Sequence, residues 1–272
     1  MKQNRALVRT GVTIMLGLVL AAVTAPWVAP HDPLAADPAL RLQPPNSSFP
    51  LGTDQVGRCV LSRVLWGARM SLGTAALTSA LAMLVGAAVG LLSVFGGRAV
   101  DRVTAIAVDA FLALPGMMLT LVLAGLVGSS VVGIVLGLSA ASWAWWARLV
   151  RSLALTARQQ EYVLGARVVG VRGFRLLLRY ILPQLRQPLL AAAALRAGWV
   201  VIAVSALGFL GLGIQPPTPE WGAMLQESRL HMTSAPWLMI APGLAITVTV
   251  LACNLVAEGL QGLGERAPRE LL

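Results

Sequence analysis

Few side chains in this sequence are of the types that do chemistry, and they are spaced too far apart to act together. The two histidines, His31 and His231, have no partner at ligand or triad spacing, so no Ser-His-Asp, HExxH or paired-carboxylate arrangement can be assembled. Lys2 is the only lysine, and a phosphate-binding GxxxxGK[ST] loop requires a lysine. We therefore expect no catalytic residues, no metal site and no cofactor bound by this chain. If ATP drives it, another chain must bind the nucleotide.

Two charged residues, Asp109 and Arg196, lie inside long apolar runs. A charge in the middle of a bilayer is costly unless it faces water or a partner, so both are candidates for lining a path across a membrane. The alternatives are structural: Asp109 can pair with Arg102, and Arg196 can extend its side chain to the membrane surface. Pro115 is the third candidate, because a proline removes a backbone hydrogen bond and kinks its helix.

The stretch 161–183, named here the docking segment, interrupts the apolar runs with several arginines. It predicts a short helix over 161–169, a turn at Gly170, and a second helix over 173–181 that Pro183 stops. Gly165 and Ala166 would leave a low-profile face for close approach, although lipid headgroups alone could explain the arginines. The residues expected to meet a partner protein are Glu161, Gly165, Ala166, Gly170, Leu182 and Pro183.

The composition predicts a membrane protein. The chain is 57% hydrophobic and 12% charged, against roughly 25% charged in ordinary globular proteins. The net charge of +10 could indicate nucleic acid, but the basic residues occupy short loops and form no basic face with interleaved aromatics. Cys59 and Cys253 have no CxxC spacing and predict no disulfide framework.

A membrane-spanning helix needs about 20 apolar residues, and six stretches of the sequence qualify. The first could be a signal peptide, but it is longer than the usual apolar region of roughly 7–15 residues, so we expect an uncleaved anchor. The fold class predicted is all-α, a polytopic membrane protein with six transmembrane helices. The predicted spans are 10–29, 70–95, 103–127, 131–150, 188–212 and 236–259.

The basic residues predict the orientation of these spans. With the N-terminus inside, 15 lysines and arginines fall on the inner side, Arg266 and Arg269 among them, and five fall outside. Cytoplasmic loops collect such residues. Both termini are therefore expected in the cytoplasm.

Two exterior segments follow from this topology. Residues 31–50 are rich in proline and are expected to be extended. In 51–72, Thr53 or Asp54 can cap a helix whose apolar face lies opposite Arg58, a spacing that predicts a helix lying in the membrane interface.

The second exterior segment predicts a short helix from Pro219 to about His231. Thr218 would be its cap and Glu220 would lie in its first turn. Trp221 and Trp237 are expected at the level of the lipid headgroups, where amphipathic rings are favoured.

Glycine pairs in two spans predict close helix packing. Gly86 and Gly90, and Gly133 and Gly137, are spaced so that helix backbones can approach in lipid. The alternative is that glycine is simply common in membrane helices. We expect both spans to pack against protein.

Four stretches together resemble the permease subunits of the dipeptide, oligopeptide and nickel ABC importers, specifically the six-span partner of the heterodimer. The first resembles LGTDxxGRDxxSRxxxGxRxSL but has Cys59 where aspartate is usual, and the last has Glu258 where aspartate is usual. The resemblance covers nearly the whole chain from residue 30 onward. The stretches are LGTDQVGRCVLSRVLWGARMSL, GGRAVDRVTAIAVDAFLALPG, GFLGLGIQPPTPEWGAML and PGLAITVTVLACNLVAEGLQ.

This resemblance implies the type I ABC importer permease fold, with the docking segment as the loop that couples to the ATPases. It implies a second homologous permease subunit, two ATPase subunits that carry ATP and Mg, and an extracytoplasmic substrate-binding protein. The chain would then divide into a first helix (1–30), an exterior segment with its interfacial helix (31–69), and a core of five spans (70–272) with coupling loop 153–187. The residues expected to contact the binding protein are Thr53, Asp54, Arg58, Glu220 and Trp221.

The segment SWAWWARLVRS resembles the nickel permeases more than the dipeptide permeases. It favours nickel or a metal chelate as the substrate, with dipeptides or oligopeptides as the alternative, although an aromatic belt beside inner arginines would explain the same residues. A self-contained channel or secondary transporter is the alternative of another class. It would call for an internal repeat and charge pairs within spans, and no repeat is visible.

Overall fold

The computed structural model describes residues 2–128 and 130–264, and all of the named elements in that part of the chain are helices. The all-α prediction is confirmed. Short 3₁₀ turns cover Pro38–Leu40 and Arg229–His231, and one π-helical turn covers Leu177–Ile181. The α-helices are α1 (Lys2–Val28), α2 (Val60–Phe95), α3 (Arg98–Ala113), α4 (Gly116–Val127), α5 (Val131–Arg158), α6 (Glu161–Val168), α7 (Gly173–Leu176), α8 (Leu182–Phe209), α9 (Trp221–Ser228) and α10 (Trp237–Gly264).

Five described helical stretches are long and apolar enough to cross a bilayer: α1, α2, α5, the continuous stretch 173–209, and α10. Each has at least 27 residues, more than the about 20 that a span needs. Helices α3 and α4 meet this test only as a pair. The spans therefore follow the predicted order, and the pair takes the place of the predicted third span.

The third span is broken rather than kinked. Helices α3 and α4 meet at 89°, because Leu114 and Pro115 adopt extended backbone between them. With 12 residues, α4 rises only about 18 Å and cannot cross a bilayer of about 30 Å alone. Pro115 is therefore the corner between two helices.

The predicted interfacial helix over 51–72 is wrong. Residues 52–59 form a tight loop closed by the bridge between Thr53 and Cys59, and α2 then runs without interruption to Phe95. Gly52 and Gly57 have positive φ, which turns the chain more sharply than a helix permits. Neither Thr53 nor Asp54 caps α2, whose N-cap is Cys59.

The predicted extended conformation of residues 31–50 is also wrong. The Leu42 N–H donates to Asp54 O and the Thr53 N–H donates to Gln43 O, both at 3.0 Å. These bonds hold the proline-rich segment against the 52–59 loop, so the exterior segment is an ordered cap.

Pro183 does not stop a helix. The chain is helical from Gly173 to Phe209, and the π turn before α8 pairs the Leu182 N–H with Leu177 O. Pro183 directly follows this π turn, where the α-helical bonding pattern is already interrupted, so its missing N–H is accommodated at the start of α8. The fifth span therefore begins in the docking segment.

Glycine contacts confirm the packing prediction for Gly86, Gly90 and Gly137, whereas Gly133 lies against Gly128 and Ser130 of its own preceding turn. A Cβ on Gly86 would lie 2.3 Å from Trp146 Cβ, and one on Gly90 would lie 2.6 Å from Ala147 O. These glycines let α2 and α5 approach backbone to backbone. Gly137 meets Thr120 O on α4 in the same way, at 3.2 Å.

The buried side chains described next form two groups, one toward each end of the molecule. One joins α2, α8 and α9 around Leu207 and Trp221. The other joins α2, α5, α6 and α8 around Trp146, Val163 and Leu185. The exterior segments are thus fixed to the first group and the docking segment to the second.

Candidate functional site

One side of the docking segment is an exposed apolar surface, and its other side is packed into the core. Val163 and Ala166 on α6 are buried in the core group that also contains Leu176 and Leu185. The opposite side of the segment is exposed, with Val168 at 87%. The exposed apolar and aromatic side chains of the segment are Tyr162, Leu164, Val168, Val169, Phe174, Leu178 and Leu182.

This surface has a basic border. Phe174 and Leu178 form a shallow groove with Arg175 and Arg179. Apolar side chains left exposed in a loop between spans are a common mark of a protein interface. The charge and the apolar area together suit a partner with an apolar pocket and an acidic border.

Gly170 ends α6 in the manner that the sequence predicted. Its φ is +88°, and the Val171 N–H reaches back to Ala166 O at 3.0 Å, the bond that closes a helix at a left-handed glycine. Space around a Gly170 Cβ is open within 4 Å, so backbone conformation alone requires the glycine.

The other predicted docking residues divide between two faces. Glu161, Gly165, Leu182 and Pro183 are exposed. Ala166 is buried, so the prediction that it shares a low-profile outer face with Gly165 is wrong. Successive helical residues point about 100° apart, and packing against α5 and α8 selects which of the two faces inward.

Asp109 pairs with Arg148 of α5, through a short contact between Oδ1 and Nη2, and not with Arg102, the partner named as the structural alternative. Its side chain is 68% exposed and that of Arg148 is 58% exposed. Arg102 lies two turns earlier on the same helix, but α3 packs against α5, which brings Arg148 closer. The ion pair is on the surface of this chain.

Arg196 lies between two indole rings. Its guanidinium carbon is 4.8 Å from the centre of the Trp145 ring and 4.3 Å from that of Trp199. It forms no ion pair with a carboxylate within residues 2–128 and 130–264, and its Nε lacks a hydrogen-bond partner there. The sequence indicated Arg196 by its charge. It did not indicate that Trp145, on another helix, and Trp199, on the same helix, would lie beside the guanidinium.

The sequence did not predict a second ion pair, between Asp101 and Arg151. Arg151 on α5 donates to Asp101 on α3 from Nε at 2.7 Å and from Nη2 at 2.9 Å, and Ser93 on α2 also contacts the carboxylate. No local spacing links these three residues. They fix the start of α3 to α2 and α5.

The exterior end contains a buried group of four charges. Asp54 accepts from Arg58 Nε at 2.6 Å and from Arg63 Nη1 at 2.8 Å. Arg63 also donates from Nη2 to Glu227 of α9 at 2.7 Å. Burial raises the pKa of the Glu227 carboxyl, and the charge of Arg58 opposes this shift. Arg63 and Glu227 were missed, although Arg63 occurs in the first stretch that carried the resemblance and Glu227 follows the third by two residues.

Helix α9 is held against the same region by Glu220 and Trp221. Glu220 is the N-cap of α9, accepting from the Ala223 N–H and from Ser71 Oγ, both at 2.8 Å. Burial raises the pKa of this carboxyl. The Trp221 indole N–H donates to Val64 O at 3.0 Å. The prediction of a Thr218 cap is therefore wrong. Trp221 packs against protein, and its level relative to the lipid headgroups stays a prediction.

The five residues predicted to contact a binding protein are not on the surface. Their exposures range from 0 to 6%. A side chain this buried cannot offer a partner much area, and each has an internal hydrogen-bond or packing role instead. Contact of a binding protein with this region stays a prediction, and the burial of these five side chains argues that neighbouring exposed residues would make it. The five buried residues are Thr53, Asp54, Arg58, Glu220 and Trp221.

No group of three or more metal-ligating side chains occurs within the part of the chain that the structure describes. His31 stacks on Phe49 with ring centres 4.6 Å apart. Among the described residues, the features that could meet a partner or a cargo are therefore the docking segment, Arg196 and the ion pairs.

Comparison with known proteins gives two family matches. Residues 82–270 match the family "Binding-protein-dependent transport system inner membrane component", and residues 2–45 match the "N-terminal TM domain of oligopeptide transport permease C". The first covers well over half of the chain.

Curated relatives extend over almost the whole sequence. The nickel transport system permease protein NikC of Escherichia coli (strain K12) is 36% identical over 95% of this chain and 93% of its own length. The di/tripeptide transport system permease protein DppC of Pseudomonas aeruginosa (strain UCBPP-PA14) is 36% identical over 92% of this chain and 85% of its own length.

One solved structure shares the fold. A chain of the MetNI methionine ABC transporter, in an inward-facing conformation, aligns with a TM-score of 0.60 at 16% identity. The alignment covers 77% of this chain and 96% of that chain. At this identity the likeness concerns the arrangement of helices.

Proposed function

Because the chain belongs to the family of binding-protein-dependent transport system inner membrane components and is an ABC importer permease subunit, we propose that it forms half of a translocation pathway for nickel or a metal chelate. The observation that carries this proposal is the docking segment: an apolar surface bordered by arginines, rigidly joined to α5 and α8. Such a surface can transmit force from another protein into two spans.

The partners follow from what this chain lacks. Its single lysine is Lys2, so a partner must provide the phosphate-binding loop. We expect two ATPase subunits to dock on the docking segments of this chain and of a second homologous permease. Their closure on ATP and Mg would push the segments together and reorient the spans, and hydrolysis would reset them.

Nickel or a metal chelate is the first candidate for the cargo and peptides are the second. The tryptophan-rich stretch Ser142–Ser152 favours the first, and the NikC relative matches over the greater share of its own length. The DppC relative is equally identical, which supports peptides as the alternative. An extracytoplasmic binding protein would deliver either cargo.

The location in the membrane is inferred from the same family match. A multi-pass permease of this family belongs in the bacterial cytoplasmic membrane. We assign both termini to the cytoplasm from the excess of arginine beside the inner ends of the spans.

Gentle extraction of the tagged chain tests this assembly. We expect it to copurify with a second permease and two ATPase subunits, and the reconstituted complex to take up cargo only with ATP and the binding protein. Isolation of this chain alone, together with ATP-independent flux through it, would instead support a self-contained channel or secondary transporter.

The docking segment can be tested in the same complex. Val168→Asp places a charge on the most exposed apolar side chain of that surface, and Val28→Asp, at the exterior end of α1, is the matched control. We expect the first variant to lose the ATPase subunits during purification and the second to keep them. Equal retention in both would remove the docking segment from the interface.

A further inference from the structure

Arg196 lies inside the predicted fifth span, eight residues or about 12 Å of helix from the inner end of that span at residue 188. Trp145 lies within the predicted fourth span, on α5. A charge at such depth in a membrane helix normally faces a partner or an aqueous path.

The side of α8 next to Arg196 is uncovered in this chain. Leu195, Trp199 and Ile202 follow one another at helical spacing and are 46%, 37% and 48% exposed. Lipid on this side of α8 would lie next to the charged guanidinium of Arg196. An aqueous path or a second chain would suit the position better, and a two-chain permease provides both.

The two indoles orient the guanidinium in a particular way. The Trp145 and Trp199 rings lie within cation–π distance of the guanidinium carbon, while the donors of a guanidinium lie in its plane. The Nε–H is buried and has no partner within the described residues, so the two terminal nitrogens, Nη1 and Nη2, are the donors left to meet a ligand. In-plane donors of this kind match the two oxygens of a carboxylate, which guanidinium binds in a bidentate manner.

We propose that Arg196, held between Trp145 and Trp199, is a carboxylate-recognition site on the translocation path. The cargo then crosses as a carboxylate-bearing molecule, either a peptide or a metal chelate, and not as a bare divalent cation. A fixed positive charge repels a bare cation, whereas a chelating carboxylate removes the repulsion and supplies acceptors for the unpaired donors. This inference rests on the proposed function.

The experiment compares matched cargoes in the complete reconstituted transporter. The peptide pair is a dipeptide and its C-terminal amide. The nickel set is the bare ion, nickel with nitrilotriacetate, and nickel with the carboxylate-free chelator triethylenetetramine. Equilibrium binding of the same ligands to the permease–ATPase complex, with the binding protein left out, separates the preference of the pathway from that of the binding protein.

We expect Arg196→Gln to lower affinity and uptake about tenfold or more for the carboxylate-bearing member of each set, because a site built to bind a group discriminates strongly against its absence. The amide and the carboxylate-free chelate should change less than about twofold, and Arg196→Lys should retain part of the preference. Arg102→Gln, an exposed arginine on α3, is the matched control and should behave as wild type. The two cargo sets distinguish a peptide from a chelate.

Three results would overturn the inference. An Arg196→Gln complex with unchanged preferences would show that the guanidinium does not contact cargo. Equal loss for every cargo would indicate a structural role, including an ion pair with the second permease. Bare nickel carried by wild type as well as its nitrilotriacetate complex would exclude the charge argument. Absence of any ATP-driven uptake by wild type would instead contradict the proposed function itself.

Discussion

Arg63 at the start of α2 and Glu227 on α9 form an ion pair of 2.7 Å, although they are 164 positions apart in the chain and the arginine side chain is 1% exposed. The same guanidinium binds Asp54 at 2.8 Å. The loop before the second span is thereby tied to the helix before the last span. Charges removed from water in this way depend on each other, since loss of one leaves the others uncompensated.

Removing the arginine should destabilise the exterior cap. We expect Arg63→Met to lower the free energy of unfolding by about 3–5 kcal/mol, because Asp54 and Glu227 would remain buried without it. Thermal unfolding of the purified complex in mild detergent measures this. Arg41→Met, at an exposed arginine of the same exterior segment, should change stability by less than about 0.5 kcal/mol. Equal effects of the two substitutions would contradict the assignment.

The carboxyl of Glu220 should make stability depend on pH. Burial raises its pKa above the ordinary 4.5, so the folded state binds more protons than the unfolded state in the window above pH 4.5. Stability should therefore fall as pH rises through that window, and rise as pH is lowered from 7.5 towards 5.5.

Glu220→Gln should remove that part of the pH dependence, since an amide does not titrate. Its oxygen can accept from the Ala223 N–H, and its NH₂ can donate to the Ser71 hydroxyl. Melting temperatures of both proteins across the range give the comparison. Asp32→Asn, at an exposed carboxylate, should leave the dependence as it is. Parallel curves for wild type and Glu220→Gln would show that another group is responsible.

The glycines between α2 and α5 should be intolerant of side chains. A Cβ on Gly86 would come within 2.5 Å of Trp143 O, whereas one on Gly73 of the same helix meets nothing within 4 Å. We expect Gly86→Leu to cost about 1–3 kcal/mol or more through forced separation of the helices, and Gly73→Leu to be tolerated. The yield and melting temperature of each complex test this pair. A stable Gly86→Leu complex would mean that α2 and α5 are not in backbone contact.

Coupling should fail when the turn of the docking segment is altered. Gly170 and Gly211 both have positive φ, +88° and +76°, with open space around them, so arginine strains either backbone by about 1–2 kcal/mol. We expect Gly170→Arg to keep the spans assembled but to uncouple ATP hydrolysis from uptake. Gly211→Arg, at the exterior end of α8, should remain coupled.

Glu161→Lys tests the same segment by charge. It reverses the charge in the first turn of α6, where an acidic side chain is favoured by the helix dipole. Uptake per ATP hydrolysed in proteoliposomes is the measurement for both variants. Full coupling in Gly170→Arg and in Glu161→Lys would remove the docking segment from the coupling route.

Properties that depend on short stretches of chain could be predicted from the sequence. The order of the spans follows from apolar run length, because a bilayer requires about 20 residues in one helix. Gly170 could be predicted as the end of α6 because a left-handed backbone is costly for other residues. The break at Pro115 was foreseen only as a kink, since the angle between α3 and α4 depends on their separate packing.

Relationships between distant segments were decided by the tertiary structure alone. Packing of α3 on α5 gives Asp109 the partner Arg148 in place of Arg102. Packing of α9 against α2 turns polar residues of the exterior segments into a buried network joined by Arg63 and Glu227. Hydrophobic run length limits which residues enter the membrane, but it contains no information on how each helix is rotated against its neighbours. That rotation sets which charges meet, and it leaves Arg196 between two indoles with donors still unpaired within the described residues.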